Sequence, residues 1–149
     1  MTRVLLAVGL ALAFVQTASA GVPNPCVLVT NAEVAKVFGA KIADRASVTY
    51  GSGRGCTWDG ATPNSFTSYH ASLRIDFARV TKAEFEKQAK KAKNAVPVRD
   101  VGELAYSQYL AGEVLTVWQH GIWMSVELSG GMSPVEAAKA LARSALTRL

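Results

Sequence analysis

The amino-acid sequence predicts an α+β fold: a mostly antiparallel sheet with a three-stranded C-terminal meander, packed by about three helices and closed by one disulfide. Three observations carry that expectation. Three times a hydroxyl residue stands three positions ahead of a glutamate where a helical apolar stripe begins. Between the stripes, the apolar period falls to two. Where it is two, short glycine-containing reversals separate the runs, and such reversals join antiparallel neighbours.

Thr30 with Glu33, Thr81 with Glu84 and Ser133 with Glu136 each form a capping box. In it the hydroxyl accepts an orphan N–H and the glutamate reaches back to the cap. The first helix is expected over Asn31–Phe38, with Val34, Val37 and Phe38 on one stripe and Gly39 as its stop. The second runs from Lys82 to about Lys93; Phe85, Ala89 and Ala92 form its seam and Pro97 lies beyond its end. The third places Pro134 at its first helical position. Val135, Ala138, Leu141, Ala142, Ala145 and Leu146 follow at helical spacing.

Ser47–Tyr50 and Cys56–Asp59 read as short strands joined by Gly51-Ser52-Gly53-Arg54-Gly55. Leu73, Ile75 and Phe77 alternate with Arg74, Asp76 and Ala78, the pattern of a strand with one buried face. Three more strands are expected near Leu104–Leu110, Glu113–Gln119 and Ile122–Leu128. A two-residue turn at His120-Gly121 sets Gln119 opposite Ile122, Val117 opposite Met124 and Leu115 opposite Val126 as the core face. A second turn at Ala111-Gly112 would set Tyr106 opposite Val117 and Leu104 opposite Gln119. A slip of one residue would turn every side chain of a strand to the other face.

Residues 1–20 have the parts of a secretory signal: Arg3, the apolar run Val4–Val15, and the small-x-small site Ala18-Ser19-Ala20. The run is shorter than the ~20 residues a membrane span needs. Pro23-Asn24-Pro25 before Cys26 excludes a lipobox, so residues 21–149 are expected as one soluble extracytoplasmic domain, secreted or periplasmic. The whole chain has 16 basic and 11 acidic residues, and loss of Arg3 leaves the mature part near +4. That charge is too small and too dispersed to argue for nucleic acid. Cys26 and Cys56 are the two cysteines, an even count that in an oxidising compartment makes a disulfide the default.

No catalytic constellation stands out, and no cofactor is implied. His70 and His120 lack a local nucleophile or carboxylate pattern, and with two cysteines they lack metal-ligand spacing. The glycine-rich 51–55 segment could hold an anion through its N–H groups and Arg54, but it matches neither phosphate-binding pattern. Lys87, Lys90, Lys91 and Lys93 crowd the second helix, either as a solvated face or against phosphates. The strongest candidate surface follows from the hairpin register, which sets Trp118 opposite Trp123 away from the core face. Thr116 and Ser125 lie beside them, Tyr109 and Glu127 further along, and Arg74 points away from the apolar side of its strand. Open, that face is an aromatic platform for a small ligand, a wall component or an envelope protein. Covered by a helix or loop, it is a second core layer.

The run Pro25-Cys26-Val27-Leu28-Val29-Thr30-Asn31-Ala32-Glu33, with Gly39, Cys56-Thr57-Trp58 and Pro97-Val98-Arg99-Asp100-Val101-Gly102-Glu103-Leu104-Ala105-Tyr106, resembles a group of small bacterial exported domains of unknown function. They are best known as actinobacterial lipoproteins. The resemblance implies an extracytoplasmic α+β domain with Cys26 bonded to Cys56, and it supplies no catalytic residues. The resulting expectation is a non-enzymatic binding or sensory module of the cell envelope. The alternatives are an envelope hydrolase with an unrecognised Ser/His site and a structural or assembly partner.

Overall fold

A computed structural model describes residues 24–50, 53–61, 68–76, 79–130 and 135–149. The expected signal, Phe77, the Gly51-Ser52 reversal and the Ser133-Pro134 helix start lie outside the described residues. Helices α1 (Pro25–Leu28) and α2 (Asn31–Phe38) lead into strands β1 (Lys41–Tyr50), β2 (Gly53–Ala61) and β3 (Ser68–Asp76). Then come α3 (Lys82–Lys91), β4 (Val96–Val98), β5 (Leu104–Tyr109), β6 (Glu113–Gln119), β7 (Ile122–Ser129) and α4 (Val135–Leu146). The described strands make one sheet in the order β1-β2-β3-β7-β6-β5-β4, and each pairing is antiparallel. The fold is thus α+β, with a wider sheet than the meander alone.

Both described capping boxes form as the sequence implies. Thr30 and Thr81 each accept the N–H of the glutamate three residues on, and each glutamate takes its cap's N–H at 2.7 Å and 2.8 Å. Gly39 closes α2 with φ 62°, a conformation that costs glycine little. The short α1 is held by the Asn24 side chain and by Pro25 in its first turn. No amphipathic stripe announces so short a helix. Strand β1 begins at Lys41 rather than Ser47, and β2 runs from Gly53 to Ala61 rather than from Cys56 to Asp59. Gly53, Arg54 and Gly55 are therefore part of a strand rather than of a loop.

The main core lies on one face of the sheet. Leu115, Val117, Met124, Val126 and Leu128 meet Leu28, Val34, Ala138, Leu141, Ala142 and Ala145 from α1, α2 and α4. Burying a side chain of this size contributes roughly 1.5–3 kcal/mol. Cys26 and Cys56 are bonded, with Cα atoms 5.0 Å apart, and tie α1 to β2. Trp58, 1% exposed, donates its indole N–H to Asn31 at 3.1 Å and joins β2 to α2. At the C-terminus Arg148 reaches back to Glu33 and to the Leu28 carbonyl, locking α4 over the first two helices.

Candidate functional site

The β6–β7 hairpin has the expected register: Trp118 opposite Trp123, Val117 opposite Met124 and Leu115 opposite Val126. His120 and Gly121 both take positive φ, 48° and 83°, as a two-residue turn matching the strand twist requires. The β5–β6 hairpin differs. Tyr109 opposes Glu113, so three residues form its loop, and Tyr106 opposes Thr116 while Ala105 opposes Val117. The expected pairing of Tyr106 with Val117 is one residue off, and β5 is inverted as a consequence.

Two contacts account for the shift. Gly112 lies tight against β7, where a Cβ would run into the Leu128 carbonyl oxygen and come within 2.9 Å of the Ser129 Cβ. The inverted β5 turns Tyr106 onto Phe85 of α3, with ring centroids 5.5 Å apart and planes tilted by 48°. Tyr106 and Leu104 thereby join Trp118 on the sheet face opposite the main core. Helix α3 covers that side of the face, and Phe85, Tyr106 and Trp118 form a second buried cluster there. Trp118 is 9% exposed and donates its indole N–H to the Val80 carbonyl at 2.6 Å. It belongs to this second core layer and does not stand on an open platform.

Between α3 and the β4–β5 edge lies a slot of about 270 Å³. Phe85, Ala89, Ala95, Pro97, Leu104 and Tyr106 wall it, with Glu86 and Lys90 at its rim. Ala89 and Ala95 are the reason for the space, since methyl groups stand where larger side chains would meet the sheet. The sequence shows Phe85 and Ala89 as the seam of a helix. It does not show what that seam faces, so the slot was not foreseeable without the β5 register.

The other half of the same face, over β7, β3 and β2, carries polar side chains. Trp123 is half-buried at the boundary, and the Arg74 guanidinium carbon lies 5.4 Å from its ring centroid, a cation–π contact. Ser125 is paired across from Arg74 and Thr116. Farther along, Asp59, His70 and Ser129 form a cross-strand row. His70 Nδ1 lies 2.7 Å from Asp59 Oδ1. No side-chain hydrogen bond joins His70 to Ser129 among the described residues, and all three positions are on strands. His120 is 76% exposed in its turn beside Glu103.

The remaining expected site residues lie elsewhere. Arg54 is exposed on β2 opposite Thr49 and Ile75, the register row that continues to Met124, so it is on the other face from Arg74. Tyr109, 71% exposed, is at the end of β5 opposite Glu113 and is separated from both tryptophans by the register shift. The structure brings Trp118, Trp123 and Arg74 together and leaves Tyr109 and Arg54 out. Glu113 is buried on the core side; burial pushes its carboxyl pKa up, and a hydrogen bond with Ser107 opposes that shift. Among the described residues no helix is long and apolar enough to cross a membrane. Comparison with family models, with curated proteins and with solved structures finds no match to the chain.

Proposed function

We propose that the chain is a non-enzymatic extracytoplasmic binding module that takes a small apolar ligand, or the apolar end of a larger one, in the slot between α3 and β4–β5. The slot itself is the observation that carries this reading. It is concave, almost wholly apolar and bordered by one acidic and one basic side chain, the composition of small-ligand sites. Its volume is near the lower end of the ~300–1,000 Å³ range of such sites, which suits a short chain or a single ring system. The signal-like first twenty residues and the Cys26–Cys56 bond support an oxidising location outside the cytoplasm. The likeness to bacterial exported domains at Pro25–Glu33 and Cys56–Trp58 points the same way.

The test uses anilinonaphthalene sulfonate as the probe. Native protein raises its fluorescence saturably, and Ala89→Leu, which fills the slot with a good helix former, abolishes the rise while leaving the unfolding midpoint in place. Equal enhancement by wild type and Ala89→Leu would remove the slot as the site. The hydrolase reading rests on the Asp59–His70–Ser129 row alone. It predicts ester turnover that Ser129→Ala abolishes.

A further inference from the structure

The β5–β6 end of the sheet, beyond the slot's Tyr106 wall, has a second character. Five large apolar side chains are notably exposed among the described residues: Val27, Val96, Tyr109, Leu110 and Leu149. Three of them converge here. Val96 opposes Ser107, and Tyr109 is two residues farther along β5, so Val96 and Tyr109 are diagonal neighbours on one face. Leu110 follows at the start of the loop. Their exposures are 60%, 71% and 64%, too high for side chains that merely complete a core.

The end of α3 sits beside this tip. Helix α3 starts at the β6–β7 turn, where Val80 donates its N–H to the Gly121 carbonyl at 3.0 Å, and runs toward the β5–β6 loop. There the Gln108 side chain donates to the Lys93 carbonyl at 2.8 Å. Lys90, Lys91 and Lys93 are exposed around that contact, and none makes an ion pair among the described residues. The acid nearest in register, Glu113 opposite Tyr109, is buried and turned toward the core. Glu127 is exposed two strands away from Gln108 across β6. Val96 and Tyr109 lie on the sheet face away from α3, so the lysines flank the apolar tip from the α3 side, and Glu86, one turn before Lys90, is an exposed acid on the helix itself.

We propose that the β5–β6 tip and the C-terminal end of α3 form a docking surface for an anionic lipid bilayer, with Val96, Tyr109 and Leu110 entering the headgroup region and Lys90, Lys91 and Lys93 at the phosphates. The aromatic ring of Tyr109 suits the interface, being apolar in body and polar at its tip. Long lysine stems can lie along apolar surface while their ammonium groups stay at the headgroups. Anionic headgroups supply the complementary charge, and each lysine near such a surface strengthens binding by roughly fivefold. Docking is peripheral and independent of any ligand in the slot.

The test is co-sedimentation of the exported, processed protein, its N-terminus read by mass spectrometry. It uses vesicles of phosphatidylcholine alone and of phosphatidylcholine with phosphatidylglycerol in equal parts. Wild type should pellet with the mixed vesicles and stay in solution with the neutral ones. The triple variant Lys90→Gln, Lys91→Gln, Lys93→Gln should lose about a hundredfold in partitioning. Tyr109→Ser with Leu110→Ser should lose about tenfold or more at unchanged charge. All five positions are exposed, so unfolding midpoints should match wild type. Ala89→Leu should bind vesicles as wild type does, which separates this surface from the slot. Pelleting that ignores lipid charge would overturn the proposal. So would pelleting that ignores the Tyr109/Leu110 change while soluble polyphosphate competes fully, since the lysines would then bind phosphate polymers and not a bilayer.

Discussion

Acidification should release the clamp between Glu33 and Arg148. The Glu33 carboxylate accepts Arg148 Nη1 and Nη2 at 2.9 Å each, along with the Thr30 N–H at 2.7 Å and hydroxyl at 2.8 Å. The Arg148 guanidinium, more than the Thr30 cap, holds the Glu33 pKa down from 4.5 to about 2 against the opposing effect of burial. Taken whole, that displacement corresponds to about 3 kcal/mol. The Arg148 side chain is 41% exposed, and screening by water reduces the contribution to about 1–2 kcal/mol. The folded-state value is depressed, so the stabilisation is full above the unfolded value of 4.5 and disappears as the pH falls toward 2. Urea unfolding at neutral pH and near the lower bound measures it in wild type and Glu33→Gln. Wild type should lose about 1–2 kcal/mol more than Glu33→Gln across that interval. Identical losses in the two proteins would refute the clamp.

Four further outcomes follow from the same geometry. Glu113 has a raised pKa, so its share of stability is present below the unfolded value of 4.5 and lost as pH rises through the folded one; Glu113→Gln should flatten unfolding free energy against pH on that alkaline side. Trp118→Phe leaves the Val80 carbonyl without its donor and should cost about 1–3 kcal/mol in urea unfolding. Trp123→Phe should cost less than about 1 kcal/mol, because that ring is only half-buried. Replacing Cys26 and Cys56 together by alanine should cost about 3–4 kcal/mol, read from unfolding midpoints, since the bond closes a separation of 30 residues.

Much of the fold is legible where short-range chemistry decides it. Thr30/Glu33 and Thr81/Glu84 specify helix starts within four residues, and His120-Gly121 specifies one hairpin within two. The β5–β6 hairpin is different, because Ala111-Gly112 can serve a two-residue turn or end a three-residue loop. The choice depends on the close approach of Gly112 to β7 and on the gain from seating Tyr106 against Phe85, both long-range. That single undecided residue moved Tyr109 off the tryptophan face and created the wall of the slot. The Arg54 placement failed for a related reason: Gly53 and Gly55 look like loop residues, yet pairing with β1 and β3 keeps them in a strand. The Trp118–Trp123 pairing was readable from alternation. The fate of that face was not, because a helix with one apolar seam can lie on either side of a sheet.

The central claim is that α3 closes over Trp118 and Tyr106 and leaves the slot beside Ala89 and Ala95 as the ligand site on that face. Amide chemical-shift mapping during titration with anilinonaphthalene sulfonate tests it most directly. The shifts should cluster at Ala89, Lys90, Ala95, Leu104 and Tyr106, while Ser72, Arg74, Ser125 and Glu127 stay in place. A response centred on Arg74, Trp123 and Ser125, with the slot unmoved, would contradict it.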